Sequence, residues 1–172
     1  QGVSSAASDV YKRQGLDSPA FELTEREQAE TRDRIDGEIY LATRVRRYVL
    51  LRLDSILAKN PGASYDHRII TVEHVLPQSP AQDSQWVRDF TEDEAATWTH
   101  RLGNLLLLNR RANSQAQNFD FDVKKEKYFT SGKGVAVFAL TTQVLAEPVW
   151  TPEVVQRRQE ELVNLLVKEW KL

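Results

Sequence analysis

The sequence predicts an α+β fold that is mostly helical, with a small β-hairpin embedded among long N- and C-terminal helices. Apolar residues recur at three- or four-residue steps near both ends of the chain, the period of one helix face. Two short runs in the middle, Arg68-Ile-Ile-Thr-Val72 and Leu105–Leu108, are β-branched or wholly apolar and read as strands. Capping residues, Pro and Gly punctuate the stretches between them. With 172 residues the chain can bury one full core and is too short for two large domains. It contains no internal repeat and no evident linker, so residues 15–172 are expected to form a single domain.

Taken in order, the first 14 residues stand apart. Val3-Ser-Ser-Ala-Ala-Ser-Asp-Val-Tyr-Lys-Arg-Gln14 resembles translated sequencing-adapter read-through and has neither a signal-peptide apolar core nor a transit-peptide pattern. Residues 1–14 are expected to be a non-native or disordered tail on a fragment whose true N-terminal part is missing. Thr24-Glu-Arg-Glu27 is a capping box. Ile35, Ile39, Ala42, Val45, Val49, Leu53 and Ile56 then mark one helix face, which Asn60-Pro61-Gly62 stops. The first strand delivers Glu73 and His74 at its end, and Pro77 and Pro80 enforce a loop. Thr91-Glu-Asp-Glu94 is a second capping box, opening a short helix through Trp98. After Gly103 the leucine run is the second strand of a hairpin, followed by helices over 109–117 and 120–129. Residues 135–146 fit strand or helix equally by pattern. Thr151-Pro152-Glu153 starts an amphipathic terminal helix carrying Val155, Leu162, Leu166 and Trp170.

Composition narrows the chemistry. The 41% hydrophobic and 28% charged content is that of an ordinary globular protein, and no apolar run is long enough to span a membrane. Cysteine is absent, which excludes disulfides and thiolate metal sites and leaves oxygen or imidazole ligands for any metal. The net charge of −2 is unevenly spread. Residues 17–38 hold eight acids against three arginines, whereas residues 100–133 hold seven bases against three acids. The basic excess is where a phosphate-binding surface would be wanted, although a solvated helix face explains it equally well when taken alone.

Thr-Val-Glu73-His74-Val-Leu-Pro77-Gln78, then Arg101-Leu-Gly103-Asn104-Leu, then Asn113 carry the strongest signal. Phosphodiester hydrolysis needs a base for water, positive charge at the phosphate and help for the leaving oxygen. His74 suits the first role because imidazole, with an ordinary pKa of about 6.5, is largely neutral at working pH. Glu73 and Asn113 offer hard oxygens that suit Mg²⁺, or Mn²⁺. Neighbouring strand residues point to opposite faces, so Glu73 and His74 share a site only if the strand ends or twists there. Asn104 can bridge the hairpin loop and hold His74 in one tautomer and orientation. Arg101, Arg110, Arg111, Lys124 and Lys125 are candidate phosphate contacts on DNA. Each residue alone has a plain structural explanation: a packed histidine, a common Gly-Asn turn, a surface asparagine. The order strand, loop, strand, helix together with the residue types reads as a ββα-metal nuclease layout with its core over about 66–118.

The chain resembles the C-terminal domain of GmrSD-type modification-dependent restriction endonucleases, a branch of the His-Asn-His (His-Me finger) superfamily. The likeness rests on Glu73-His74-Val-Leu-Pro77-Gln78, Trp86, His100-Arg101-Leu-Gly103-Asn104-Leu, Asn113, Asn118, Phe121-x-x-Lys124-x-x-x-Tyr128, Trp150-Thr151 and the segment Arg47–Arg52. It covers roughly residues 35–170. The resemblance implies His74 as general base, Glu73 on the metal side, Asn104 and Asn113 as the middle and metal-proximal asparagines, and Lys124 as a basic residue on the helix beyond. It further implies a metal-dependent DNA endonuclease of phage restriction in the prokaryotic cytoplasm, working with an N-terminal ParB-like nucleotide-binding module that has no counterpart here. Leu106 stands where the family pattern has Thr. Two alternatives stay open: a catalytically inactive DNA-binding or assembly module, and a helical interaction domain whose His and Asn are merely structural.

Overall fold

The computed structural model describes residues 22–60, 70–108, 118–129 and 138–172. Among these the fold is mostly helical with one two-stranded antiparallel sheet, as the patterning predicts. Helix α1, Glu25–Asp36, opens on Thr24, whose hydroxyl accepts from the Glu27 N–H while the Glu27 carboxylate accepts from the Thr24 N–H. Glu25 and Glu27 also place negative charge at the positive end of the helix.

The apolar period through residues 35–56 predicts one continuous helix, and here the structure differs. The chain leaves the helix at Gly37, forms a short 3₁₀ turn at Ile39–Leu41 and resumes as α2, Arg46–Leu57. Glycine is a poor helix former, and tertiary bonds hold the break open. The Tyr40 N–H donates to the His100 carbonyl at 3.0 Å, and Arg46 Nη1 donates to the Tyr40 carbonyl at 2.7 Å. The period survives because Ile35, Ile39, Val49 and Leu53 still enter the same core.

Strand β1, Thr71–His74, pairs with β2, Leu105–Leu108, with His74 opposite Leu105 and Glu73 opposite Leu106. All four leucines of β2 are buried, and their alternation explains the unbroken apolar run. Leu105 and Leu107 join Val49, Leu50, Leu53, Leu162 and Leu166 in one cluster. Leu106 and Leu108 join Trp86, Phe121, Val144, Trp150 and Val155 in a second. The hairpin therefore lies between two apolar clusters, and a leucine at 106 is suited to its wholly buried place.

After the loop that holds Pro77 and Pro80 come two short helices: α3, Gln85–Asp89, which the patterning does not signal, and α4, Glu92–Trp98, with the expected capping box at Thr91. The start of α3 and that of α5, Phe121–Lys124, cap each other. The Gln85 N–H donates to Asp120 Oδ1 at 3.0 Å, and the Phe121 N–H donates to Gln85 Oε1 at 2.7 Å. Helix α5 runs on through a π-helical turn, Lys125–Phe129. Within the ambiguous stretch, Ala139–Ala146 is helix α6, and the Leu140 N–H at its start donates to the buried Asp54 carboxylate.

The terminal helix α7, Pro152–Trp170, has proline in its first turn as expected. It packs on the 3₁₀ turn Leu102–Asn104, which leads into β2. A Cβ on Gly103 would lie 2.4 Å from the Val155 carbonyl, so only glycine lets the turn approach the helix backbone this closely. Gln159 accepts from the Gly103 N–H at 2.7 Å, and the buried Arg158 guanidinium donates to the carbonyls of Leu102, Gly103, Leu105 and Leu140. Burial lowers the Arg158 pKa only to about 10, so the group stays charged at neutral pH. The helix expected over 109–117, with Arg110, Arg111 and Asn113, lies outside the described residues.

Candidate active site

The site begins where β1 stops. Asn104 is fully buried and closes the loop from the other strand. Its Oδ1 accepts from the Leu76 N–H at 2.7 Å and from Trp150 Nε1 at 3.3 Å. Its Nδ2 donates to the carbonyls of Leu76 and Thr99 at 2.9 and 3.0 Å. The Asn104 carbonyl takes the Val75 N–H. Asn104 thus bridges the hairpin loop, as its position suggests, but it grips the backbone two residues beyond His74. The direct restraints on the imidazole come from other side chains.

Those restraints are on the face of β1 that carries Leu105 and the first core cluster. His74 Nε2 lies 3.3 Å from His100 Nδ1, and His74 Nδ1 lies 3.4 Å from the Gln78 amide nitrogen. The Tyr40 ring packs against both imidazoles, 4.1 Å from His74 and 5.5 Å from His100 between ring centroids. Arg46 lies over the Tyr40 ring, 4.2 Å from its centroid. Burial, with smaller contributions from His100, Lys124 and Arg46, depresses the His74 pKa to about 3. His74 is accordingly a neutral imidazole at physiological pH.

Glu73 sits on the opposite face of the strand, with Leu106, as strand alternation requires. Burial raises its pKa, against the Thr71 hydrogen bond and the Lys124 charge, which favour the carboxylate. The two neighbours therefore reach the strand end from opposite faces. Lys124 is the charged group that acts on both.

Lys124 departs from its expected role as a surface phosphate contact. It is 2% exposed, and its ammonium donates to the carbonyls of Val75 at 2.7 Å and His74 at 3.2 Å. Helix α5 has turned this side chain inward, where it ties down the free carbonyls at the end of β1. Burial lowers its pKa to about 7, partly offset by the attraction of Glu73. Lys125 is half-buried and donates to the Glu147 carbonyl at 2.7 Å, over the Phe121 ring. Arg101 lies 4.0 Å from Asp36 and leans over Trp98. Among the described residues no three His, Cys, Asp or Glu side chains gather as a metal site. Glu73 is the hard donor at the strand end, and its expected companion Asn113 is outside the described residues.

The sequence alone gives Tyr40, Gln78 and His100 no chemical role. His100 and Gln78 were at least visible as members of the quoted motifs. Tyr40 carried no signal, because the break at Gly37 that brings it to His74 was masked by the continuing apolar period.

Hairpin and helices together define a small α+β domain with a neutral histidine and a half-buried carboxylate at the end of its first strand. The chain belongs to the family of GmrSD restriction endonucleases, C-terminal domain, whose model matches residues 24–165. That membership makes it a restriction nuclease domain and implies DNA as its substrate. No curated protein matches the chain. No helix among the described residues is long and apolar enough to cross a membrane.

Proposed function

We propose that this domain is a metal-dependent DNA endonuclease of the ββα-metal, His-Asn-His type, acting in restriction of foreign, modified phage DNA. The observation that carries the reading is His74, an imidazole kept neutral at the end of the strand that also bears the half-buried Glu73. In this reading His74 accepts the proton of the attacking water as that oxygen bonds to phosphorus and the bond to the leaving oxygen breaks. A pKa near 3 makes His74 a weak base with only the protein's own groups around it. A phosphodiester beside it adds negative charge that favours the imidazolium, moving the base toward the range where proton transfer is efficient.

Glu73 is a carboxylate desolvated enough to raise its pKa, and a hard cation fits such a group. Glu73 and Asn113 are the residues that would hold one Mg²⁺ or Mn²⁺, which supplies positive charge at the scissile phosphate. Asn104 keeps the loop after His74 in register. Arg101, Arg110, Arg111 and Lys125 would contact flanking phosphates, giving affinity without sequence information. Choice of target would then rest with a ParB-like nucleotide-binding partner module.

Incubation with supercoiled plasmid, modified and unmodified, in Mg²⁺, Mn²⁺ or EDTA tests the reading. Metal-dependent nicking or linearisation is the expected result. DNA binding without cleavage under every condition would assign the domain to an inactive binding or assembly role.

A further inference from the structure

We propose that His100, backed by Tyr40, is a positioning residue that locks His74 in the tautomer whose Nδ1 lone pair faces the reacting water. The inference deepens the nuclease reading and rests on it for its catalytic consequence, but its structural half stands on the His74 contacts alone.

Gln78 brings an amide N–H₂, a donor, to 3.4 Å from His74 Nδ1. That nitrogen is then the acceptor, so the ring proton of neutral His74 sits on Nε2. Nε2–H points at His100 Nδ1, 3.3 Å away, which must be the acceptor nitrogen of the second ring. The set is self-consistent: one proton lies between the two rings, and no donor faces a donor. Both bonds are at the long end of the hydrogen-bond range. Gln78 is exposed, so its long contact is one that a reacting water can replace at Nδ1.

His100 can hold this direction because its own backbone and ring are fixed. Its carbonyl accepts from the Tyr40 N–H, and its ring stacks nearly parallel on Tyr40, with 13° between the planes. Tyr40 in turn is held by Arg46, through the ring and through the carbonyl. The break between α1 and α2 is what places Tyr40 there. Among the described residues, the ring nitrogen that meets Nε2 is therefore delivered from the segment before Arg101-Leu-Gly103-Asn104.

Three variants and two readouts test this. His100→Ala removes ring and acceptor, His100→Phe keeps a ring to stack on Tyr40 without an acceptor, and His100→Asn offers an acceptor near the Nδ1 position. ¹⁵N shifts of the labelled imidazoles report the tautomer of His74, and steady-state plasmid cleavage gives kcat and KM separately. Wild type should carry the His74 proton on Nε2, and Ala and Phe should show a mixture of tautomers. In those two variants kcat should fall about tenfold to a hundredfold with KM little changed, as for other residues that orient a working histidine. His100→Asn should restore the tautomer and most of kcat. A His74 proton on Nδ1 in wild type, an unchanged tautomer in His100→Ala, or rescue by Phe and not by Asn would overturn the inference. Wild-type protein with the expected tautomer but no cleavage would instead sink the nuclease reading and leave the pairing intact.

Discussion

The two strands of the hairpin are paired residue for residue, yet they do opposite work. β2 is four leucines buried on both faces, preceded by a turn that α7 grips through Arg158 and Gln159. β1 is Thr-Val-Glu-His, partly exposed along its length, with its two ionisable residues at the open end. One strand supplies rigidity that the other uses: chemistry is carried at the edge of a structure fixed from behind. The polar groups of the site divide the same way. Asn104 and Lys124 hold backbone, whereas His74 and Glu73 meet other side chains, His100 and Gln78 for the one and Thr71 for the other.

The comparison predicts that a substitution in β1 and one at the base of β2 fail differently. His74→Ala should lower cleavage by roughly 10²–10⁴, the value of a general base, while thermal unfolding moves little. Plasmid cleavage beside a melting curve checks both halves. Wild-type cutting would remove His74 from the mechanism, and a collapsed fold would place it with the scaffold.

Asn104→Ala should do the reverse. It leaves the Leu76 N–H and carbonyl, the Thr99 carbonyl and Trp150 Nε1 without this partner in a fully buried place. A loss of about 2–4 kcal/mol in denaturant unfolding is expected. Where the variant remains folded, the metal concentration for half-maximal activity should stay close to that of wild type. A stable variant with altered metal dependence would instead move Asn104 to the working side of the comparison.

The scaffold half was the more legible in sequence, because its rules are local. Two capping boxes, proline in the first turn of α7 and the unbroken leucine run each specify structure within a few residues. The need for Gly103 became visible only with α7 in place, since the group a Cβ would strike, the Val155 carbonyl, is about fifty residues away in sequence. The working half was legible as residue types, Glu73 beside His74, but not as surroundings. Tyr40 and His100 reach His74 through a helix break whose apolar pattern looks continuous. Lys124 counted as surface charge because composition records a lysine and not the direction in which a short helix turns it.

Lys124 sharpens the comparison through pH. Its pKa falls from 10.5 to about 7 on folding, mainly through burial. When a base has a lower pKa in the folded state, the unfolded chain binds more protons between the two values. Stability then rises with pH from about 7 toward 10.5. In metal-free protein, melts from pH 7 to 9 should show a gain of up to roughly 2 kcal/mol for wild type that Lys124→Met lacks. Parallel curves for the two proteins would mean that Lys124 is solvated and free to meet a phosphate after all.

The smallest expected effect concerns which cations meet DNA. Lys124 spends its ammonium on two backbone carbonyls, and Lys125 is directed to the Glu147 carbonyl. Arg101 lies at the edge of the site, with only a 4.0 Å contact to Asp36 and a stacking contact to Trp98. Of the three, Arg101 is best placed to exchange its partner for a phosphate. Each phosphate contact on duplex DNA contributes roughly 0.9 to the slope of log K against log salt. Arg101→Gln should therefore flatten that slope by about 0.9, equally on unrelated sequences. Lys124→Met should leave it unchanged, because a buried ammonium releases no counterion from the duplex. Filter-binding titrations at several salt concentrations decide between them. A flattened slope for Lys124→Met with none for Arg101→Gln would show that α5 rearranges on DNA and that the division between scaffold and working residues fails at this side chain.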